Sequence, residues 1–234
     1  MNESYSFCLK SEDIPIIMNT TALHEDNGRL IELISSKICH DLISPVGAIS
    51  NGVEILGEIG ADDEVTSLIA FSASQANAKL KTLRLAYGIG GADELIKIDE
   101  IHTTFGEFIG GEKRVTQDWN AHIELGFEKR RGFPKLMMCC LLLAVESLPK
   151  GGVITVDTDA AAETLIINAT GENAKLRDGY QDALSHEIAV DALEPKFIHP
   201  YITQLFAQKY GFELSTEQTA PDVISLRLKQ PSVS

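Results

Sequence analysis

The stretch Lys37-Ile38-Cys39-His40-Asp41-Leu42-Ile43-Ser44-Pro45 sets a His-Asp pair just ahead of a proline, inside a long amphipathic segment. Apolar residues recur around it at Ile31, Ile34, Ile38, Leu42, Ile49, Val53 and Leu56, the three-and-four spacing of a helix with one buried stripe. Gly57 and Gly60 end that pattern. Asp62 and Asp63 can then cap a second helix, in which Val65, Ile69, Ser72, Ala76, Leu80, Leu83 and Tyr87 repeat as a heptad seam until Gly88, Gly90 and Gly91. Two helices of similar length joined by a short turn predict an antiparallel hairpin. A lone hairpin buries little, so a homodimer with a four-helix bundle is expected, its helices brought close by Ser72, Ala73, Ser74, Ala76 and Ala78. The alternative is a hairpin that packs only on the rest of its own chain.

Working outward, residues 1–26 show little periodicity, contain Pro15, and read as an N-terminal strand or arm. Residues 27–90 form the hairpin, and residues 94–230 a second domain in which the periods shorten and mix. Leu95 to Ile98 and Arg114 to Asp118 read as strands around a helix from Asp99 to Ile109, with Ile123 to Phe127 as a further strand. Phe133 to Leu148 is apolar nearly all round, as a helix buried against a sheet is. Val153 to Asp157 and Thr164 to Ala169 read as paired strands, and residues 176–194 as helical or irregular. Pro200 stands near the start of a helix running to about Tyr210, before closing strands at Phe212 to Thr216 and Val223 to Leu228. The fold class is α+β: a helical hairpin followed by an α/β sandwich.

Composition narrows the function. With 234 residues and 44% apolar content the chain can build a substantial core. A net charge of -14, spread along the chain, argues against a nucleic-acid partner, which needs a basic footprint. The longest apolar run, Leu136 to Val145, is about half of what a bilayer span requires, and no export signal opens the chain. Cys8, Cys39, Cys139 and Cys140 lack metal-ligand spacing, so the chain reads as a reduced, cytoplasmic protein without structural metal. The other histidines, His24, His102, His122, His186 and His199, read as surface or core residues.

At about 100° per residue, His40 lies about 200° from the centre of the apolar stripe and faces solvent. Ser36, Lys37, Ile43, Ser44, Gly47 and Asn51 share or adjoin its face, so a partner surface can approach closely there. If the hairpin turns near residue 61, Lys81 and Arg84 of the second helix flank His40. Such cations favour a neutral, nucleophilic imidazole and stabilise a phosphoryl group on it. Asp41 can reach sideways to a ring nitrogen and fix the tautomer, and Ser44 can bond a phosphate oxygen or an attacking water. An exposed histidine without a role is the bland alternative. Against it stands Pro45, which removes the helical partner of the Asp41 carbonyl at a cost of roughly 3 kcal/mol and so needs a reason. A Cys39–His40 catalytic pair is badly placed, because adjacent helical residues do not face each other.

The run from His40 to Pro45 resembles the H-box of sensor histidine kinase dimerisation domains. Taken with Cys39 to Ile49, Arg84-Leu85-Ala86-Tyr87-Gly88 and His199-Pro200-Tyr201, the chain resembles the ChpT-type histidine phosphotransferases from about residue 28 onward. The resemblance implies a dimeric four-helix bundle, each hairpin followed by a domain shaped like a kinase ATPase domain that no longer binds ATP. The kinase boxes are indeed eroded. Leu142-Leu143-Ala144-Val145-Glu146-Ser147 lacks the Mg-ATP asparagine, and Ala169-Thr170-Gly171-Glu172-Asn173 lacks the adenine-reading aspartate and the second glycine. Pro195 to Pro200 replaces a Gly-rich lid. The resemblance thus implies a phosphorelay in which His40 takes phosphate from one response-regulator receiver and passes it to another, with the receiver supplying Mg²⁺ and no cofactor in this chain. A hybrid kinase as donor and a CtrA-like cell-cycle regulator as acceptor are implied by resemblance alone. A divergent ATP-dependent histidine kinase and a non-catalytic dimeric scaffold for receivers are the rival readings.

Overall fold

A computed structural model describes residues 14–60, 62–89, 96–111, 114–123, 130–159 and 163–230. The hairpin consists of α1 (Ile14–Ile59) and α2 (Asp63–Tyr87). Gly60 adopts a φ of 83°, which closes α1 in a conformation that suits glycine. Asp62 caps α2 by accepting from the Val65 amide at 3.0 Å, and Asp63 and Glu64 favour the positive end of the helix dipole. Gly52 lies where Ile69 crosses, so closely that a Cβ would meet its side chain; this is the tight point of the α1–α2 packing.

The second domain runs α3 (Ile98–Ile109), β1 (Val115–Gln117), α4 (Phe133–Glu146), β2 (Gly152–Thr158), β3 (Thr164–Thr170), α5 (Tyr180–Leu184), α6 (Ile198–Tyr210), β4 (Glu213–Ala220) and β5 (Val223–Lys229). Its sheet has the order β1-β2-β3-β5-β4, with β1 parallel to β2 and every other pair antiparallel. The centre is α4, buried continuously from Phe133 to Ala144, which touches β2, β3 and β5 on one side and α2, α3 and α6 on others. A helix enclosed on all sides must be apolar all round, which is how this segment reads in the sequence. Cys139 and Cys140 are fully buried in it, and desolvation pushes the Cys139 thiol up to about 12, so both pack as small apolar groups.

Three expectations are corrected. Residues 14–26 continue α1 rather than forming a strand or arm; Pro15 is the second residue of that helix, where its missing N–H costs nothing. Ile98 opens α3 instead of ending a strand; Leu95, like 124–127 of the strand expected from Ile123 to Phe127, lies outside the described residues, and Ile123 itself is not in a strand. The apolar stripe of α1 also turns partway along. Ile31 and Val53 are 64% and 56% exposed, while Leu33 is buried with Ile198, Ile202 and Leu193, because the first part of α1 seats on the second domain and only the later part follows α2. The heptad seam of α2 is partly covered within the chain, with Ile69 against Gly52 and Ser72 and Leu83 buried, while its Leu80 is 55% exposed. Away from the seam, Ile43, Val46, Val53, Leu68 and Phe71 also stand exposed along the hairpin. Among the described residues no helix is long and apolar enough to cross a membrane.

Candidate functional site

α1 continues without a break through Pro45, which is buried, and carries His40 on its open face. The His40 side chain is 89% exposed, as the helix arithmetic predicts. Its Nδ1 lies 3.4 Å from Asp41 Oδ1. An ionised carboxylate can only accept, so this contact requires a proton on Nδ1 and leaves Nε2 with a free lone pair directed outward. Ile43, Ser44 and Asn51 are exposed, and Gly47 has open space beyond its Cα, so the face is shallow and open to a protein partner.

The cation that reaches this pair is Lys37. Its Nζ stands 3.4 Å from Asp41 Oδ2, a helical i,i+4 pairing, and 3.5 Å from Glu146 Oε1 at the end of α4. Lys81 and Arg84, expected beside His40, turn toward α3 instead. Lys81 donates to Glu107 at 2.9 Å, and the exposed Arg84 lines a surface cleft with Lys97, Asp99 and Glu100. α3 lies on their side of the helix, and no periodicity in α2 reports where α3 lies.

Glu146 joins the two domains. Tyr180 OH donates to its Oε2 at 2.9 Å, and Arg177 Nε donates to its backbone carbonyl at 3.2 Å. Burial, with the Glu146 carboxylate beside it, pushes the Tyr180 phenol up, so it remains a donor. Below this lies an interdomain cleft of about 330 Å³, lined by Lys37 and Asp41 of α1, Lys79 of α2, Glu146, Arg114 and Arg177 among others.

A second polar set locks the hairpin to the second domain. Tyr87 OH is 2.7 Å from His199 Nδ1, and His199 Nε2 is 3.2 Å from the Cys139 carbonyl. The carbonyl can only accept, so Nε2 carries the proton and Nδ1 accepts from the phenol. Burial drives the His199 pKa down to about 4, holding the ring neutral. Lys135 donates to the Ala86 and Gly88 carbonyls at 3.0 and 2.6 Å, satisfying the end of α2, and its ammonium lies over the Phe206 ring.

Of the two places open to it in the sequence, surface or core, His199 takes the core. The Lys37–Glu146 and Tyr87–His199 contacts join residues more than a hundred positions apart and left no local signal. Only the Lys37–Asp41 spacing was open to reading, as an i,i+4 ion pair.

The family model described as histidine phosphotransferase C-terminal domain matches residues 98–222, all downstream of His40. The chain is 32% identical over 198 residues to the protein phosphotransferase ChpT of Brucella abortus (strain 2308), covering 82% of this chain and 91% of that protein. A solved bacterial phosphotransferase superposes with a TM-score of 0.70 at 27% identity, covering 97% of this chain and 100% of the other.

Proposed function

The chain belongs to the histidine phosphotransferase family, and from that premise we propose that His40 is the phosphoacceptor of a multistep phosphorelay. The carrying observation is the exposed His40 imidazole with Nδ1 engaged by Asp41 and Nε2 free. In the proposed step the Nε2 lone pair attacks the phosphorus of a receiver aspartyl phosphate. The N–P bond forms as the acyl-phosphate P–O bond breaks, and the receiver aspartate leaves as a carboxylate. The ring then carries positive charge with its proton still on Nδ1, and the Asp41 carboxylate stabilises it. Donation to the aspartate of a second receiver reverses these bonds.

Asp41 is already held by Lys37, so the proposal assigns Mg²⁺ to the partner's receiver domain. Ser44, one turn on, is exposed and placed to bond a phosphoryl oxygen, while Lys37, Ile43, Gly47 and Asn51 contribute to the receiver-docking face. The exposed apolar residues along the hairpin support a homodimer through a four-helix bundle, in a cytoplasmic protein that acts between a hybrid kinase and a cell-cycle regulator.

Independence from ATP is part of the reading. Leu142, Leu143 and Ala144 are buried where a kinase would present its asparagine, and the Glu146 carboxylate is taken by Lys37 and Tyr180. Residues 195–197 form a short 3-10 turn that runs directly into α6. One observation favours the rival kinase reading: the interdomain cleft presents Lys79, Arg114 and Arg177 to any anion that enters it.

The test incubates the full chain with a receiver domain carrying radiolabelled aspartyl phosphate, and separately with labelled ATP. Wild type should take label from the receiver and none from ATP, and His40→Ala should take none from either. Equal labelling of the two proteins by the receiver would overturn the assignment, and labelling by ATP alone would favour the kinase reading.

A further inference from the structure

The second domain makes no hydrogen bond or ion pair to His40 among the described residues, yet a continuous polar chain connects them. Tyr180 OH donates to Glu146 Oε2 at 2.9 Å, and Lys37 Nζ stands 3.5 Å from Glu146 Oε1. The same Nζ lies 3.4 Å from Asp41 Oδ2, and Asp41 Oδ1 lies 3.4 Å from His40 Nδ1. Exposure falls steadily along it, the side chains being 89% exposed at His40, 30% at Asp41, 21% at Lys37 and 19% at Glu146.

That gradient matters because an exposed aspartate beside an exposed histidine has little to hold it. A carboxylate on a solvent-facing helix surface samples several rotamers, and a surface ion pair alone contributes little to fixing one. Here one oxygen of Asp41 is tied to an ammonium that is itself tied to a carboxylate of another domain, and that carboxylate is fixed by a phenol and by its place at the end of the most buried helix. The remaining oxygen of Asp41 is thereby left facing Nδ1. We propose that Glu146 of the second domain is a positioning residue for His40, acting through Lys37 and Asp41 to hold the imidazole as its Nδ1–H tautomer and so keep Nε2 nucleophilic.

The inference rests on the reading of His40 as phosphoacceptor but explains something that reading leaves open. A domain that has lost its nucleotide boxes retains a carboxylate in the very stretch where a kinase would bind Mg-ATP, and this carboxylate points to the hairpin. In an isolated neutral histidine the Nε2–H tautomer predominates, so a shift to Nδ1–H is a measurable departure rather than a default.

The experiment uses the full-length protein with isotopically labelled histidine and reads the tautomer of His40 by nitrogen NMR, assigning the signal by its loss in His40→Ala. Wild type should show mainly Nδ1–H. Glu146→Gln, which keeps the acceptor for Tyr180, and Lys37→Met, which leaves the second domain untouched, should both move His40 toward Nε2–H. Phosphorylation by phosphoramidate, a small donor that bypasses receiver docking, should slow by about tenfold in both variants, as expected when a positioned group is released. Asp41→Asn serves as the limiting case. A wild-type tautomer ratio in Glu146→Gln and Lys37→Met, alongside a changed one in Asp41→Asn, would overturn the role of Glu146 while leaving His40 as acceptor. Failure of wild type to accept phosphate from either donor would instead remove the phosphoacceptor reading, and the NMR result would distinguish that outcome, since it needs no phosphate.

Discussion

Two imidazoles of this chain sit in opposite surroundings. The His199 residue is 1% exposed and engaged at both nitrogens, by Tyr87 and by the Cys139 carbonyl. The His40 side chain is 89% exposed and engaged at one nitrogen, by Asp41. Each ring is directed to one tautomer by a neighbour, but only at His40 does the second nitrogen remain available to an incoming phosphorus. His199, held on both sides, is a strut; His40, held on a single side, keeps the nitrogen that the proposed phosphoryl transfer needs.

Exchanging the two roles by mutation is the strongest way to break this comparison. His40→Ala should abolish phosphoryl uptake and change stability by less than about 0.5 kcal/mol, as surface substitutions do. His199→Ala should cost about 3 kcal/mol in denaturant unfolding, because it opens a cavity and strands the Tyr87 hydroxyl and the Cys139 carbonyl. If His199→Ala unfolded at the wild-type denaturant concentration, the strut would be refuted.

The pH dependence of stability should report on the buried ring. The folded-state pKa of His199 is lowered to about 4 by burial, from an ordinary value of 6.5. Between these values the unfolded chain binds the additional proton, so stability contributed by His199 is fully present above pH 6.5 and is lost as pH falls toward 4. The loss should approach about 3 kcal/mol below both values and should vanish from the pH profile of His199→Leu. Denaturant titrations of the two proteins across this range check it.

The hairpin surface offers a third contrast, between its seam and its exposed side. Phe71 and Leu68 are 50% and 48% exposed. If the proposed homodimer uses this side, wild type should be dimeric in light scattering at micromolar concentration, and Phe71→Asp should be monomeric with its helix content intact. A dimer that persists would place the interface elsewhere. The smallest effect is expected at Ser44→Ala, a severalfold slowing of transfer from a phosphorylated receiver, since one hydrogen bond to phosphate is worth about 1 kcal/mol.

What could be read from the sequence was whatever periodicity controls. The three-and-four spacing gave the hairpin, the all-round apolar run gave α4, and the angle between Ile38 and His40 gave the exposure of the histidine. The early part of α1 escaped because Pro15 looks like a breaker but fits a first turn. Ile31 escaped because burial along α1 changes partner, from α6 to α2, and a single stripe assumes a single partner. Lys81 and Arg84 turn toward α3 rather than toward His40, and no spacing within α2 reports which of its sides α3 covers. Glu146 was read only as the loss of an asparagine; its partner Lys37 lies 109 positions away, and no spacing rule reaches that far.

The central claim is that His40 carries borrowed phosphate on its free nitrogen. The full chain should be phosphorylated by a labelled receiver, freed of the donor under neutral conditions, and mapped by fragmentation mass spectrometry with phosphorus NMR of the intact protein. A single acid-labile phosphoryl group on His40, bonded to Nε2, is expected. Phosphate on any other residue, or on Nδ1 of His40, would contradict it.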